Sequence, residues 1–431
     1  MDIGGVKAVW RHGLQRLRTG GTRYAANSLI CHLLNGVSGV MIMRWLEPVA
    51  LGWWNVSQML RIPLDVLRAG ILSGMNREYP LLMGSNEKEK ARKVLETGLA
   101  HTLATVVVSQ MMLGAVLFYV GRDQHLLFCG LLTNGLVWSV GYYSQYVRSS
   151  LRTSHNLRLI SQIDLGIAAV DSVAVLLVWR FGYYGLIGRA LLSSVLFAGS
   201  FYHFRPAKVR PRWNGAALAR MYRFGRHTYL TGYLLLVGSY SERLVLLTLN
   251  DGVRLLGLYT PAIACASIMQ IIPGSIQNYY YPQIMEAYGR EHDDVKLLAM
   301  ILTQIKRATL MMLGVSAAST VGIWLLIKFV LPGYESSRLA ATLVCIAGPL
   351  YPFRMCASYY AALHHWREYY AFTTLQTILP FLIMWSLLPL LPPLIAVAVG
   401  YVISVAASGV VLLWFTLNHA SRTKTGHRNG A

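Results

Sequence analysis

The sequence predicts an all-α integral membrane protein of about a dozen transmembrane helices, arranged as two six-helix bundles. Three observations predict it. Apolar residues make up 55% of the 431-residue chain and charged residues only 13%, against roughly a quarter charged in ordinary globular domains. Mean hydropathy is +0.45, so a soluble domain of this length would lack polar surface. Apolar stretches recur at the ~20-residue length that crosses a hydrocarbon core of ~30 Å. The pattern of the first half also returns in the second.

Taken in order, the first apolar run, near 22–46, follows Lys7, Arg11, Arg16, Arg18 and Arg23. It is long enough to span and reads as a first helix that stays in place. Span two, 50–74, carries Arg61, Asp65 and Arg68 and leads into an inner loop with Arg77, Lys88, Lys90, Arg92 and Lys93. Spans three and four, 94–120 and 125–147, turn at Arg122 and return to Arg148, Arg152 and Arg158. Spans five and six, 159–179 and 184–203, precede the longest inner loop, 204–227, which holds Arg205, Lys208, Arg210, Arg212, Arg220, Arg223 and Arg226. Spans seven to twelve follow near 228–249, 257–282, 308–330, 339–363, 371–391 and 394–417. Between spans eight and nine, 286–305 reads as an amphipathic helix lying on the inner membrane surface.

Basic residues at the outer ends are few: Arg44, Arg122, Arg180, Arg254, Lys328 and Arg338. This asymmetry follows the positive-inside rule and predicts that both termini are cytoplasmic. It also explains the net charge of +21 as a topology signal, with no nucleic-acid partner. The predicted domains are a bundle over 1–203, a basic cytoplasmic linker over 204–227, a second bundle over 228–417 and a cytoplasmic tail over 418–431.

The repeat is specific. Leu51-Gly52-Trp53-Trp54 opens span two, which ends in Tyr79-Pro80-Leu81-Leu82-Met83; Leu256-Gly257-Leu258-Tyr259 opens span eight, which ends in Tyr281-Pro282-Gln283-Ile284-Met285. Six spans per half start both halves on the same side. They are therefore parallel repeats, related by a pseudo-two-fold axis along the membrane normal, an architecture of transporters.

Ionisable residues inside spans are costly, about 2.5–3.5 kcal/mol each near a helix centre, and usually face a cavity or one another. Arg61, Asp65 and Arg68 are four and three apart, on one helical face. Asp164 and Asp171 share a face of span five. Glu242 and Arg243 are adjacent in span seven. Arg354 lies between Pro349 and Pro352 and the small Ala357 in span ten. One reading has Arg61, Asp65, Arg68, Arg243 and Arg354 lining a wet vestibule, where a guanidinium fork suits phosphate oxygens. The other is a closed ion-pair network. Asp164, Asp171 and Glu242 are candidates for proton or sodium coupling; alternatively the two aspartates neutralise the span-two arginines. Arg44 and Arg189 sit near span ends and read as snorkelling. Pro63, Pro261, Pro273 and Pro380 fall inside spans as hinges or packing devices.

All five cysteines (Cys31, Cys129, Cys265, Cys345, Cys356) lie in apolar spans with no CxxC and read as reduced packing residues. His364-His365 reads as interfacial. There is no Gly-rich loop with Lys and no HExxH, and the outer loops are too short for a catalytic domain, so neither an enzyme nor a cofactor is expected. A membrane glycan polymerase is disfavoured on the same ground.

Arg44-Trp45-Leu46-Glu47-Pro48 with Gly52, Asn76-Arg77-Glu78-Tyr79-Pro80 with Gly84, and the stretch from Ala217 to Gly225 resemble polysaccharide flippases of the MOP (multidrug/oligosaccharidyl-lipid/polysaccharide) exporter superfamily. Glu47 stands where that family usually has Gly. The resemblance implies a MATE-like fold of two six-helix bundles and alternating access around a central cavity. It implies a cargo of undecaprenyl-pyrophosphate-linked oligosaccharide, moved from inner to outer leaflet of the bacterial cytoplasmic membrane for surface polysaccharide assembly. Membrane lipids and other polysaccharide-assembly proteins are the implied partners. A drug/cation antiporter of the same superfamily is the rival.

Overall fold

In a bilayer every backbone N–H and C=O must be satisfied within its own segment, which leaves the helix as the economical solution for a chain this apolar. The computed structural model describes residues 20–120, 124–153, 157–205, 209–291, 294–357, 360, 363 and 365–428. Among them the chain is helical nearly throughout. In order come α1 (Gly20–Trp45), α2 (Pro48–Gln58), α3 (Arg61–Val66), α4 (Ile71–Gly84), α5 (Lys88–Val120), α6 (His125–Thr153), α7 (Leu157–Ala174) and α8 (Leu176–His203). Then follow α9 (Gly215–Gly238), α10 (Ser241–Leu247), α11 (Gly252–Leu258), α12 (Thr260–Glu291) and α13 (Asp294–Phe329). After a 3-10 segment, Pro332–Ser337, come α14 (Arg338–Ile346), a second 3-10 segment, Gly348–Cys356, then α15 (Trp366–Leu387) and α16 (Pro393–Arg428).

Among the described residues, six helical stretches are long and apolar enough to cross a membrane unaided, in α5, α6, α8, α13, α15 and α16. Two bent pairs raise the number to eight: α11 with Thr260–Gln277, at 48°, and Pro332–Ile346 with Gly348–Cys356, at 43°. The remaining expected spans fall on α1, α2–α4, α7 and α9–α10, which are shorter, broken or more polar. The lipid-facing surface is explicit: on α5, Val107, Met111, Phe118 and Tyr119 are exposed, as are Leu310, Val321 and Phe329 on α13. Apolar patches of that extent belong in a membrane.

The chain forms two compact units. The first contains residues 1–46 and 57–230, the second 47–56 and 231–431. In the first, Leu64, Met75, Val94, Tyr142, Tyr146, Ile160, Phe201 and Met221 form the core. In the second, one cluster gathers Leu246, Leu256, Tyr259, Met269, Val344 and Val397, and another Leu297, Ile301, Phe372 and Leu412. The segment 286–305 is no separate surface helix. It is the end of α12 and the start of α13, and its apolar face (Leu297, Leu298, Ile301, Ile305) is buried against protein. The residues clustered with it include Met355 and Cys356 of the second 3-10 segment, Phe372 of α15 and Leu412 of α16.

Span two is the largest departure from a straight helix. Arg61–Val66 is flanked by turns, with N–H groups of Leu67, Arg68 and Ala69 reaching back three residues instead of four, because Pro63 and two consecutive left-handed residues, Ala69 (φ 46°) and Gly70 (φ 75°), interrupt the ladder. Gly70 also lets α4 touch α9: a Cβ there would lie 2.7 Å from the Gly225 carbonyl oxygen, and one on Gly225 would lie 2.0 Å from that of Gly70. In the second unit the two repeat motifs meet. A Cβ on Gly257 would lie 1.7 Å from the Pro48 carbonyl oxygen, and one on Gly52 would lie 2.0 Å from that of Val253. Beside them Asn55 Nδ2 donates to Thr260 Oγ1 at 3.0 Å, a pair 205 residues apart. The same offset separates Gly52 from Gly257, so positions equivalent in the repeat touch each other.

Candidate functional site

In the first unit, the short α3 presents one buried carboxylate to two guanidiniums. Asp65 Oδ2 lies 3.3 Å from Arg61 Nε and Oδ1 lies 3.0 Å from Arg68 Nε. Arg61 and Asp65 lie within α3, and Arg68 follows it in the turn, its N–H bonded to the Asp65 carbonyl oxygen at 3.1 Å. From α6, Trp138 Nε1 donates to Asp65 Oδ1 at 2.6 Å. The Arg68 guanidinium lies over the Trp138 and Tyr142 rings at 5.0 and 5.1 Å, which are themselves stacked 5.6 Å apart. Tyr229 donates to the Asp65 and Val66 carbonyl oxygens, at 2.9 and 3.1 Å, adding to the three-residue bonds these accept from Arg68 and Ala69 N–H. Arg68 is thus held by charge, ring faces and burial, while half of the Arg61 side chain (51%) is exposed. One acid serves two arginines, so the cluster carries a surplus positive charge.

Asp164 and Asp171 do not reach the span-two arginines. Asp164 pairs with Arg148 of α6, and Asp171 with Arg189 of α8. Asp171 also accepts from Ser193 at 2.5 Å, and its carbonyl from Arg189 Nε at 3.1 Å. Arg189 is therefore a paired interior residue, only 14% exposed, where snorkelling to the interface was expected. The signal was available in the sequence: in an antiparallel helical hairpin, positions equidistant from the turn face each other. Residues 148 and 164 lie on the consecutive helices α6 and α7, and 171 and 189 lie on either side of the break at Gly182. Both aspartates border a cavity of about 450 Å³ among α1, α6, α7 and α8.

In the second unit, α10 buries Glu242 (5% exposed). Being adjacent on a helix, Glu242 and Arg243 point in different directions. Arg243 lies over the Tyr240 ring at 4.5 Å and Arg354 over Tyr351 at 5.3 Å. The terminal amide of Gln376, with its oxygen turned to the guanidinium, accepts from Arg354 Nε and Nη2 at 2.8 Å. Tyr351 and Tyr401 share a hydrogen bond of 2.7 Å. Glu242 Oε1, Ser241 Oγ and Tyr259 OH are buried without a hydrogen-bond partner among the described residues. Pro349 and Pro352 shape the 3-10 segment that carries Arg354. Gln376, Tyr351, Tyr401 and Trp138 were missed as site residues, since aromatic and amide groups in apolar runs read as packing.

Among the described residues no set of His, Cys, Asp and Glu could hold a metal, and the five cysteines are free thiols. His365 lies 3.9 Å from Glu368; His364 is outside the described residues. The chemistry on offer is recognition by guanidinium, ring faces and hydroxyls.

Comparison with solved structures settles what kind of scaffold this is. An inward-facing multidrug resistance MATE family transporter of the MOP superfamily matches with a TM-score of 0.77, at 16% identity, over 94% of this chain and 99% of its own. The fold is that of MOP-superfamily transporters. An outward-facing multidrug resistance MATE transporter gives 0.69 at 17% identity, over 96% and 99%. A MOP superfamily transporter from Pyrococcus furiosus, described by the reverse polarity of its binding pocket, gives 0.64 at 16% identity, over 96% and 98%. The model of a polysaccharide biosynthesis protein family matches residues 150–332. No curated protein matches by sequence. The MOP resemblance read from short motifs therefore holds for the fold, and the polysaccharide biosynthesis family model matches part of the chain.

Proposed function

We propose that this MOP-type transporter is a flippase for a polyprenyl-pyrophosphate-linked oligosaccharide, working by alternating access in the bacterial cytoplasmic membrane with both termini inside. The observation that carries the reading is the surplus guanidinium charge of the Arg61–Asp65–Arg68 cluster, with Arg61 half exposed. A planar fork that remains charged pairs phosphate oxygens bidentately. Arg243 and Arg354 add two more guanidiniums, each backed by a ring. The lipid tail stays in the bilayer, so only the head group needs the polar path. Ion coupling belongs to Glu242 in this reading, because Asp164 and Asp171 each carry a guanidinium partner already.

The test is surface glycan output in a strain lacking the gene. Wild type restores it; Arg61→Ala and Arg354→Ala, at normal membrane levels, reduce it at least tenfold, the effect of losing ~1.4 kcal/mol of differential binding. Full output from both variants removes these residues from the mechanism. A multidrug antiporter is the second reading, favoured by the MATE transporters that share the fold. It predicts altered drug susceptibility in the deletion strain with surface glycan unchanged.

A further inference from the structure

We infer that the cavity among α1, α6, α7 and α8 is a subsite for one or two uncharged sugar rings of the cargo, an inference that rests on the flippase reading. Its volume, about 450 Å³, falls in the ~300–1,000 Å³ range of small-molecule sites. Its lining selects by charge. Arg148 with Asp164, and Arg189 with Asp171, are mutually neutralised. A cation finds no free carboxylate there and an anion no free guanidinium. What the wall does offer is hydrogen-bonding edges, from Asn35, His32, Ser161 and the outer lone pairs of the two aspartates, beside the flat face of Phe197. Paired polar groups next to an aromatic face suit a molecule made of hydroxyls and C–H edges.

The first helix turns polar side chains to this wall. On α1, Ile30, Leu33, Val37 and Met41 are exposed at helical spacing and make a lipid-facing stripe. His32 and Asn35 are also exposed, but they lie on the opposite side of the helix, where they border the cavity. Two polar side chains turned away from an apolar stripe face water or a polar ligand.

Cys31 lines the same cavity and is partly accessible, which gives a reporter that does not depend on transport. The protein, purified with Cys129, Cys265, Cys345 and Cys356 replaced, is labelled at Cys31 by a methanethiosulfonate reagent. The probe is the repeat-unit oligosaccharide released by mild acid from the organism's own lipid-linked glycan, with betaine as the control. Labelling is expected to slow about threefold or more at several times a millimolar Kd, and Asn35→Ala with Phe197→Ala is expected to abolish the protection. Unprotected labelling, protection that survives both substitutions, or a Cys31 that never reacts overturns the subsite. Glycan output in the deletion strain judges the flippase reading separately: protection of Cys31 without restored output keeps the subsite and rejects the transport role.

Discussion

Asp65 is the residue on which the first unit's cluster depends. It answers two guanidiniums and an indole, and Arg68 is only 20% exposed. Removing one partner of a buried pair leaves a charge uncompensated, at about 3 kcal/mol or more. Asp65→Ala is expected to lower thermal stability in detergent by that order, and Arg61→Ala, whose side chain is half in solvent, by no more than ~1 kcal/mol. A double variant lacking Asp65 and Arg68 should recover part of the loss, which a double-mutant cycle reads directly. The pair Asp171–Arg189 invites a charge swap. Either single reversal should deplete folded protein, and the exchange Asp171→Arg with Arg189→Asp should restore both folding and transport if the pair is structural. Restored folding with dead transport would return Asp171 to the coupling ion. The span-two trio was legible because spacing on one helix fixes neighbours. Trp138, 73 residues away, was not, because only tertiary packing brings α6 to α3.

At the level of elements, the breaks matter more than the helices. About a dozen spans were expected, some with prolines as hinges or packing devices, and apolar length alone locates six to eight of them among the described residues. The breaks arise from pairs of cues that hydropathy averages away: Pro63 with Ala69 and Gly70 in span two, Pro349 with Pro352 in span ten. Such interruptions survive in a membrane only where the backbone stays paired, here by the three-residue bonds from Leu67, Arg68 and Ala69 N–H, with Tyr229 donating as well to the Asp65 and Val66 carbonyl oxygens. The repeat motifs were visible as sequence, but their mutual contact was not. Nothing in a pattern says that Gly257 must lie against Pro48. Gly257→Val would drive a side chain into that carbonyl, with an overpacking cost of about 1–3 kcal/mol. Lower yield of monodisperse protein is expected, and Gly274→Val, which meets open space, should be tolerated. Equal yields would mean that α2 and α11 separate at little cost.

On the scale of the whole molecule, charge and hydropathy specify membrane residence, while the proposed orientation rests on loop basicity. Membrane residence was legible because it depends on sums over many residues and not on any one contact. The compact units, by contrast, do not follow the chain's midpoint: residues 47–56 belong with 231–431, and the stretch up to residue 230 belongs with the first unit. Cutting the gene within the basic loop after residue 208 therefore leaves each fragment without a piece of its own core. Fragments 1–208 and 209–431, expressed singly, should be degraded, and together they should recover glycan output; a fragment that is stable alone would show the exchange to be dispensable.

That exchange also orders events at the ribosome. The ten residues from Glu47 to Val56 enter the bilayer long before Val253 and Thr260, the groups they rest on, have been translated. A nascent chain must shelter an unmated helix for some two hundred residues of synthesis, so insertion factors that hold such a helix should limit how fast this protein can be made.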